Sequence, residues 1–308
     1  AVNRIDATIC SAILASAVLF CACGDPPADR RRRLPQDDSC RGLIAASFNR
    51  FIAESGEPFE RFEFTALFPR HRERDLESVN ALLPVRIPES DLPIDTCSKP
   101  EPAVITRAGR PSSMKDMVTL VDAGDMFVSF GEGPVPIPTR TFPDLLKVIN
   151  GVIYTANPDS RLELIPGRTY TLKTTGTDLI GPFEVVLDAP DDLGDIRLNG
   201  QSPADGIPSP ARDNPLQLTW EGSGYGDEIL LETAWNALGL SWNFTCRMKD
   251  DGAFDIPADM SMLLNDTRGE TPHEMSLTRI RQVSFAARGL SFGSFTFVAR
   301  TAFLVEFE

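Results

Sequence analysis

The chain has 308 residues, 42% of them hydrophobic, with 25 prolines, 22 glycines and a formal net charge of −14 at pH 7. This charge excludes nucleic-acid binding as the main activity, because a phosphate backbone requires a basic protein surface. The hydrophobic content is sufficient for packed cores, whereas the many prolines and glycines favour short strands and turns over long helices. We therefore expect a fold of the all-β class.

An apolar run from Thr8 to Ala22 leads directly into Cys23. The run is too short for a transmembrane helix, but it suits the hydrophobic region of an export signal. Cys23 follows a small residue, as cleavage by a lipoprotein signal peptidase requires, whereas Cys21 follows the bulky Phe20. We expect a signal peptide that ends before Cys23 and a diacylglyceryl anchor on the Cys23 sulfur.

The charges around this apolar run conflict with the prediction of export. Only Arg4, close to Asp6, precedes the run, whereas Arg30–Arg33 follow it, and the positive-inside rule then keeps the following segment in the cytoplasm. The printed sequence begins without a methionine, which leaves room for basic residues upstream, and the arginine run lies near the edge of the window in which such charges count, so export is favoured. Asp25 lies one position beyond the usual inner-membrane retention site after Cys23, which favours the outer membrane over the inner one.

Residues 23–38 contain few apolar side chains and mix both charges, so they cannot bury enough surface to fold. We expect them to form a disordered stalk. Two interpretations of Arg30–Arg33 remain open, contact with anionic lipid headgroups or a solvated charge run, and the second is favoured.

Three cysteines follow the predicted lipidation site. We expect Cys40 to bond Cys97, because both lie among turn residues of the same N-terminal segment and an oxidising compartment favours disulfides. Cys246 alternates with Phe244 and Met248, which predicts that all three lie on the buried face of a strand. A free, buried Cys246 is expected, and its pairing with an N-terminal cysteine is the alternative.

The chain from residue 39 onward shows the patterns of short β-strands. In the segment FERFEFTALF the apolar residues alternate, which predicts a strand. From Met114 to Ala189, short apolar or alternating segments are separated by proline and glycine turns, and a second set begins near Asn214. Turn signals at this spacing are typical of Ig-type β-sandwiches.

Four segments carry a resemblance to a known group: IPGRTYTLKTTGTDLIGPFEVVLDAP, PLQLTWEGSG, FTCRMKDDGAFDIPADMS and GLSFGSFTFVARTAFLVEF. They resemble the tandem Ig-like sandwich modules of predicted bacterial surface lipoproteins, which are largely uncharacterised. The resemblance covers roughly Met114 to Glu308. It implies a fold and brings no activity, cofactor or site residue with it.

These patterns predict two Ig-like sandwiches in tandem, after a small N-terminal unit. The expected order is a signal peptide (1–22), a lipidated disordered stalk (23–38), a small disulfide-bridged N-terminal unit (39–112), a first Ig-like β-sandwich (113–190), an acidic linker rich in proline and glycine (191–213) and a second Ig-like β-sandwich (214–308).

No segment carries a catalytic signature. His71 and His273 are the two histidines, and each is expected to be a solvated loop residue, so a Ser-His-Asp or Cys-His arrangement lacks a base in a suitable context. The nucleophile elbow, the zinc-protease pattern and the phosphate-binding glycine loop are all missing from the sequence. We predict no enzyme, although a carboxylate pair of the glycosidase type leaves no sequence spacing and stays open.

Four aspartates crowd the connector between the two predicted sandwiches: Asp188, Asp191, Asp192 and Asp195. Oxygen ligands at such a junction suit Ca²⁺, which would stiffen the pair of modules. The alternative, which is favoured, is an acidic linker kept open by repulsion between its own charges. Zinc is not expected, since the cysteines and histidines are far apart in sequence.

Trp235 and Trp242 flank the segment NALGLS, which is predicted to be a loop between two strands. Exposed loop tryptophans present a flat apolar face on which sugar rings stack, so both are candidates for glycan stacking. Anchoring in the core is the favoured interpretation of both. Trp220 alternates with Leu216 and Leu218 and is predicted to be buried.

Together these features predict a non-catalytic lipoprotein of the cell envelope. Its lipid would anchor it to the membrane, and its β-modules would act as a surface scaffold or binding module for a protein or glycan partner. The alternative is an accessory or catalytic module that acts on cell-envelope polysaccharide through loop carboxylates. A third interpretation, a calcium-stiffened spacer, depends on the aspartate connector.

Overall fold

The computed structural model describes residues 38–72, 92–99, 101–102, 118–131, 133–142, 149–156, 165–211, 215–224, 226–237, 240–266 and 272–307. Strands dominate these ranges, and a single α-helix is found within them. The predicted all-β class is therefore confirmed. The predicted signal peptide, the lipidation site at Cys23 and Arg30–Arg33 lie outside the described residues.

The elements are short at the periphery and long at the centre of the fold. In chain order they are β1 (Asp38–Ile52), β2 (Pro58–Leu67), β3 (Pro69–Arg72), β4 (Thr96–Cys97), β5 (Glu101–Pro102), β6 (Val118–Leu120), β7 (Met126–Ser129), β8 (Pro134–Pro136), β9 (Thr139–Phe142), β10 (Ile149–Ala156), β11 (Thr169–Thr174), β12 (Glu184–Asp188), β13 (Arg197–Leu198), a 3-10 helix (Pro203–Asp205), β14 (Gln217–Thr219), β15 (Glu228–Ala237), β16 (Leu240–Lys249), β17 (Ala253–Asp255), α1 (Ala258–Asp266), β18 (His273–Phe285) and β19 (Phe292–Val305).

Twelve strands form one sheet in the order β2-β10-β6-β3-β1-β19-β18-β15-β16-β4, with β9 beside β10 and β5 beside β16. Its centre is a hairpin of β18 and β19, in which His273 lies opposite Val305 and Phe285 opposite Gly293. β1 pairs in parallel with the outer side of β19 along almost its whole length. A strand of the predicted N-terminal unit is thus bonded directly to a strand of the predicted second sandwich.

Two smaller sheets cover the two halves of this central sheet. The four-stranded sheet β12-β11-β7-β8 closes a first core, and the three-stranded sheet β13-β14-β17 closes a second core. β19 contributes to both, because Phe295 and Phe297 lie in the first core and Phe303 and Val305 in the second. Since the long strands serve both cores, the cores do not follow the predicted boundaries at 112/113 and 213/214.

Alternating side chains explain why each small sheet packs on the large one. In β11, Tyr170 and Leu172 are fully buried, whereas Thr169 and Lys173 face solvent. Side chains two residues apart share one face of a strand, so the apolar face of β11 meets the apolar face of the central sheet. Trp220 is buried in the second core, as its alternation with Leu216 and Leu218 predicts.

The predicted Cys40–Cys97 disulfide is wrong, because Cys97 is bonded to Cys246. β4 lies against the outer edge of β16, and this pairing places Cys97 directly opposite Cys246. Cys40 lies at the start of β1, beside the first core, and its thiol is free. Burial raises the pKa of that thiol to about 11. Cys246 does share a buried face with Phe244 and Met248, as predicted, but it is not a free thiol.

Candidate functional site

The segment that passes from one small sheet to the other joins β12 to β13. We call residues Ala189–Ile196 the crossing segment. It overlaps the start of the predicted acidic linker (191–213), and it forms no strand. Backbone carbonyls outside a sheet ladder still need hydrogen-bond donors when they are buried. In the crossing segment, arginines of the central sheet supply those donors.

Arg279 of β18 is completely buried and holds the middle of the crossing segment. Its Nη1 donates to the carbonyl oxygens of Asp191 and Asp192 at 2.7 and 2.8 Å, and its Nη2 also donates to the carbonyl oxygen of Glu221. The same guanidinium forms an ion pair with the carboxylate of Asp250, with nitrogen to oxygen distances of 2.7 and 2.9 Å. One side chain thereby joins three separate stretches of chain.

The Asp250 carboxylate is buried and receives several donors. Besides Arg279, the indole nitrogen of Trp220 donates to it at 2.7 Å and the backbone N–H of Ser223 at 3.3 Å. Burial by itself raises the pKa of this carboxyl, but the hydrogen bonds from Arg279, Trp220 and Ser223 outweigh burial and hold the pKa below its ordinary value. Asp250 is therefore ionised in the folded protein at neutral pH.

Arg281 lies two residues further along β18 and holds the beginning of the crossing segment. Its Nε and Nη2 donate to the two carboxylate oxygens of Asp227 at 2.7 and 2.6 Å. Its Nη1 donates to the carbonyl oxygens of Asp188 and Ala189 at 3.3 and 3.2 Å. Because residues two apart in a strand share a face, Arg279 and Arg281 bind the segment side by side.

The four aspartates proposed as calcium ligands do not converge on one point. The Asp192 carboxylate pairs with Arg50 at 2.6 Å, the Asp195 carboxylate pairs with Arg197 at 2.5 Å, and Asp188 accepts a hydrogen bond from Thr169. Asp191 contributes its backbone carbonyl to Arg279. Among the described residues, no group of three acidic, histidine or cysteine side chains is arranged to hold a metal ion. The predicted calcium cluster is therefore not formed.

The two candidate tryptophans lie on strands and not on a loop. Trp235 on β15 is 5% exposed and packs edge-to-face on Phe244 at 5.9 Å. Trp242 lies opposite it on β16 and packs against the second core. Neither indole is displayed on a loop, so the stacking interpretation is replaced by the core interpretation.

His273 is also a core residue, contrary to the prediction of a solvated loop. It begins β18 and is 4% exposed, with its ring 5.2 Å from the ring of Phe307 and 6.5 Å from that of Trp235. Burial lowers the pKa of the imidazole below its ordinary value. His71 lies in β3, and its side chain is not among those described.

An open cleft of about 490 Å³ lies beside the Arg281–Asp227 pair. Its walls are residues 186–188 of β12, residues 226–228 at the start of β15 and residues 280–282 of β18. Three carboxylates line it, those of Asp188, Asp227 and Glu228. Asp227 is bound by Arg281, and Glu228 pairs with Arg247 through two contacts of 2.8 Å. The cleft thus combines an aliphatic strand edge with an acidic rim.

Sequence reasoning missed the arginines and their partners. In the segment LTRIRQVSF, Arg279 and Arg281 occupy the same strand face as Leu277 and Val283. A cation within an otherwise apolar alternating face requires a buried acceptor, and this is the signal that was available. Their partners, Asp227 and Asp250, lie at sequence positions that no periodicity connects with β18.

Comparison with known proteins adds little to this geometry. No protein-family model matches the chain, and no curated protein matches it. Among solved structures, the chain has a likeness to the yeast delta-COP-I μ-homology domain complexed with a Dsl1 WxWxV peptide, at a TM-score of 0.27 and 10% identity, over 89% of this chain and 100% of that chain. A TM-score this low shows neither a shared fold nor a shared function. No helix of the described residues is long and apolar enough to cross a membrane.

Proposed function

We propose that this chain is an exported, lipid-anchored and non-catalytic module that binds a protein partner at the surface of the cell envelope. The observation that carries the binding part is the cleft beside β12, an open concavity next to an exposed strand. The anchoring part rests on the sequence, namely the apolar run that ends at Cys23. The outer membrane is the favoured destination, because an acidic residue is missing from the position directly after Cys23.

A protein partner is favoured over a glycan because, of the two candidate tryptophans for sugar stacking, Trp235 is buried in the second core and Trp242 packs against that core. The network of Arg279 and Arg281 fixes the cleft walls, since both arginines tie β18 to the segment that leaves β12. A wall that is already ordered loses little conformational entropy when a partner binds, which favours recognition. The lipid and the predicted stalk would hold this surface near the membrane.

One specific observation supports action on polysaccharide as a second candidate, because three carboxylates line a concave cleft. Two of them, Asp227 and Glu228, are each held by an arginine through paired contacts, so their carboxylate oxygens are already engaged within the protein. Binding without catalysis is therefore the better supported function. The ranking would be reversed if the native protein hydrolysed purified envelope polysaccharide and the Asp188→Asn variant did not.

The anchor and the binding surface are tested in the same cells. Mass spectrometry of the intact protein should find a diacylglyceryl adduct in the native chain and in the control Cys21→Ser, and none in Cys23→Ser. A photo-crosslinking amino acid at Gln282, an exposed cleft residue, should yield a discrete protein adduct. The same probe at Asp205, which is exposed but outside the cleft, should not.

Two results would contradict the proposal. An unprocessed chain without lipid, located in the cytosol, would remove the anchoring part. Equal crosslinking from Gln282 and Asp205, or none from either, would remove the binding part.

A further inference from the structure

β12 is an edge strand whose second side has no partner strand in the described part of the chain. On its first side it is hydrogen-bonded to β11. At the two ends of this pairing, the Ala189 N–H donates to the Arg168 carbonyl oxygen and the Thr174 N–H donates to the Phe183 carbonyl oxygen. In an antiparallel pair, hydrogen-bonded and non-bonded positions alternate. The odd-numbered residues of β12 therefore bond β11, and the backbone groups of Glu184, Val186 and Asp188 point to the open side.

Nothing about β12 blocks the addition of another strand along most of this open side. At the opposite edge of the same sheet, β8 has prolines at both ends, and proline has no N–H to offer. β12 contains no proline, and Val186 is 50% exposed. Arg281 covers the carbonyl oxygen of Asp188 and so ends the open stretch at that residue. An incoming strand is left with the free groups of Glu184 and Val186 and the N–H of Asp188.

The side chains of β12 define the chemistry of a matching strand. Glu184, Val186 and Asp188 face solvent, whereas Val185 and Leu187 face the first core. Directly opposite residues in paired strands interact, so Asp188 favours a cation and Val186 a β-branched side chain. Glu184 also favours a cation, although it already forms an exposed ion pair with Lys173 of β11 at 3.0 Å, and such a surface pair contributes little. The alternate residues of an added strand would face the cleft, where Leu187 and Ile280 provide apolar wall.

The charges of β12 favour a strand from another protein over a second copy of this chain as the strand that pairs with its open side. Two copies of β12 paired antiparallel about Val186 would place Glu184 opposite Asp188, and like charges directly opposite are destabilising. Asp188 has a hydrogen bond from Thr169 but no cation within ion-pair distance among the described residues. The chain as a whole carries a charge of −14, which repels another copy and attracts a basic segment.

We infer that the cleft beside β12 binds an extended, basic peptide segment by strand addition, with the pattern basic, apolar, β-branched, apolar, basic. This inference rests on the proposed function and names the chemical class of its partner. Main-chain hydrogen bonds to Glu184, Val186 and Asp188 supply affinity, and the charged rim with the apolar wall supplies specificity.

The test uses the full chain in detergent and a fluorescent peptide with the core Lys-Ile-Val-Ile-Lys. Anisotropy should show saturable binding, and the peptide Glu-Ile-Val-Ile-Glu should bind at least about threefold to tenfold more weakly, since two cross-strand charge pairs reverse sign. Hydrogen exchange should slow at the amides of Glu184, Val186 and Asp188 when the basic peptide binds. The amide of Val135, which carries the one backbone N–H of β8, provides the internal reference.

Two matched variants separate backbone pairing from simple charge attraction. Val186→Pro removes an outward N–H and should weaken binding of the basic peptide by at least about tenfold, whereas Val186→Thr keeps the N–H and the β-branch and should bind within about threefold. Asp188→Lys should shift preference toward the acidic peptide. This variant keeps the inference falsifiable if Val186→Pro proves unstable.

Several results would overturn the inference. Equal binding of the basic and acidic peptides, an unchanged Kd in Val186→Pro with intact folding, or protection that appears outside β12 would each overturn strand addition. Dimers of the peptide-free protein that Val186→Pro abolishes would make the occupant a second copy. Loss of peptide binding alongside a persistent protein adduct from Gln282 would reject this inference and leave the proposed function standing.

Discussion

At the scale of single residues, Arg279 is the side chain on which the joint between the two cores depends. Removing it leaves the buried carboxylate of Asp250 without its cation and three carbonyl oxygens without their donor. A broken buried ion pair costs more than the pair contributes, because the remaining charge stays desolvated. The surface pairs of this protein are expected to matter far less.

We expect Arg279→Met to lower the free energy of unfolding by about 3–5 kcal/mol, measured by urea denaturation. Adding Asp250→Leu should recover only part of the loss, because the carbonyls of Asp191, Asp192 and Glu221 still lack a donor. The matched control is Arg61→Met, which breaks an exposed pair with Glu63 and should cost less than about 1 kcal/mol. Equal losses in the two arginine variants would contradict the assigned role of Arg279.

At the scale of elements, residues Leu92–Lys99, here called the strap, cover part of the outer edge of β16. The Cys97–Cys246 disulfide fixes the strap near its C-terminal end. Around it, Ser98 N–H donates to the Thr245 carbonyl at 2.8 Å, and Arg247 donates to the Leu92 carbonyl at 2.8 Å. β4 itself has two residues, so covalent and side-chain contacts replace a long ladder.

Reduction of this disulfide should release the strap while the central sheet persists. Hydrogen exchange at Ser98 and Thr245 should accelerate in Cys97→Ala, and the free energy of unfolding should fall by up to about 5 kcal/mol for a bond that spans 149 residues. Cys40→Ala is the control, since its thiol is free, and it should leave both amides unchanged. Unaltered exchange at Ser98 in Cys97→Ala would show that the strap does not depend on the bond.

At the scale of the whole molecule, two buried titrating groups make the folded state sensitive to acid. The folded-state pKa of His273 lies below its ordinary value of 6.5, and that of Asp250 lies below 3.8. In both cases the unfolded chain binds the proton more readily, so stability is full above the unfolded pKa and is lost as pH falls through the folded pKa. Protonation of His273 therefore lowers the stability of the folded state below pH 6.5, and protonation of Asp250 lowers it below pH 3.8.

Urea denaturation across pH 7.5 to 5 tests the first window. The native chain should lose stability as pH falls below 6.5, and His273→Phe should show a smaller slope because its ring does not titrate. The difference in slope between the two proteins is the readout, since it is unaffected by the titration of surface carboxylates. Identical slopes would contradict the assignment of His273.

Local sequence patterns predicted the all-β fold class. Contacts between segments that are far apart in sequence were not predictable from such patterns. The alternation in β11 and the buried face of Phe244, Cys246 and Met248 were visible because strand faces repeat every second residue. The parallel pairing of β1 with β19, and the choice of Cys246 as the partner of Cys97, join segments that only the completed fold brings together. The cleft was out of reach for the same reason, since its walls come from three distant strands.

The parallel bond between β1 and β19 also sets the order of events during biogenesis. Asp38–Ile52 emerges early in synthesis, yet one of its three partner strands is Phe292–Val305, close to the end of the printed chain. Neither core can close until that late strand arrives, because β19 supplies side chains to both. If the chain is exported as we propose, it would remain unfolded while it passes the translocation pore, and both cores would close only after β19 has crossed the membrane.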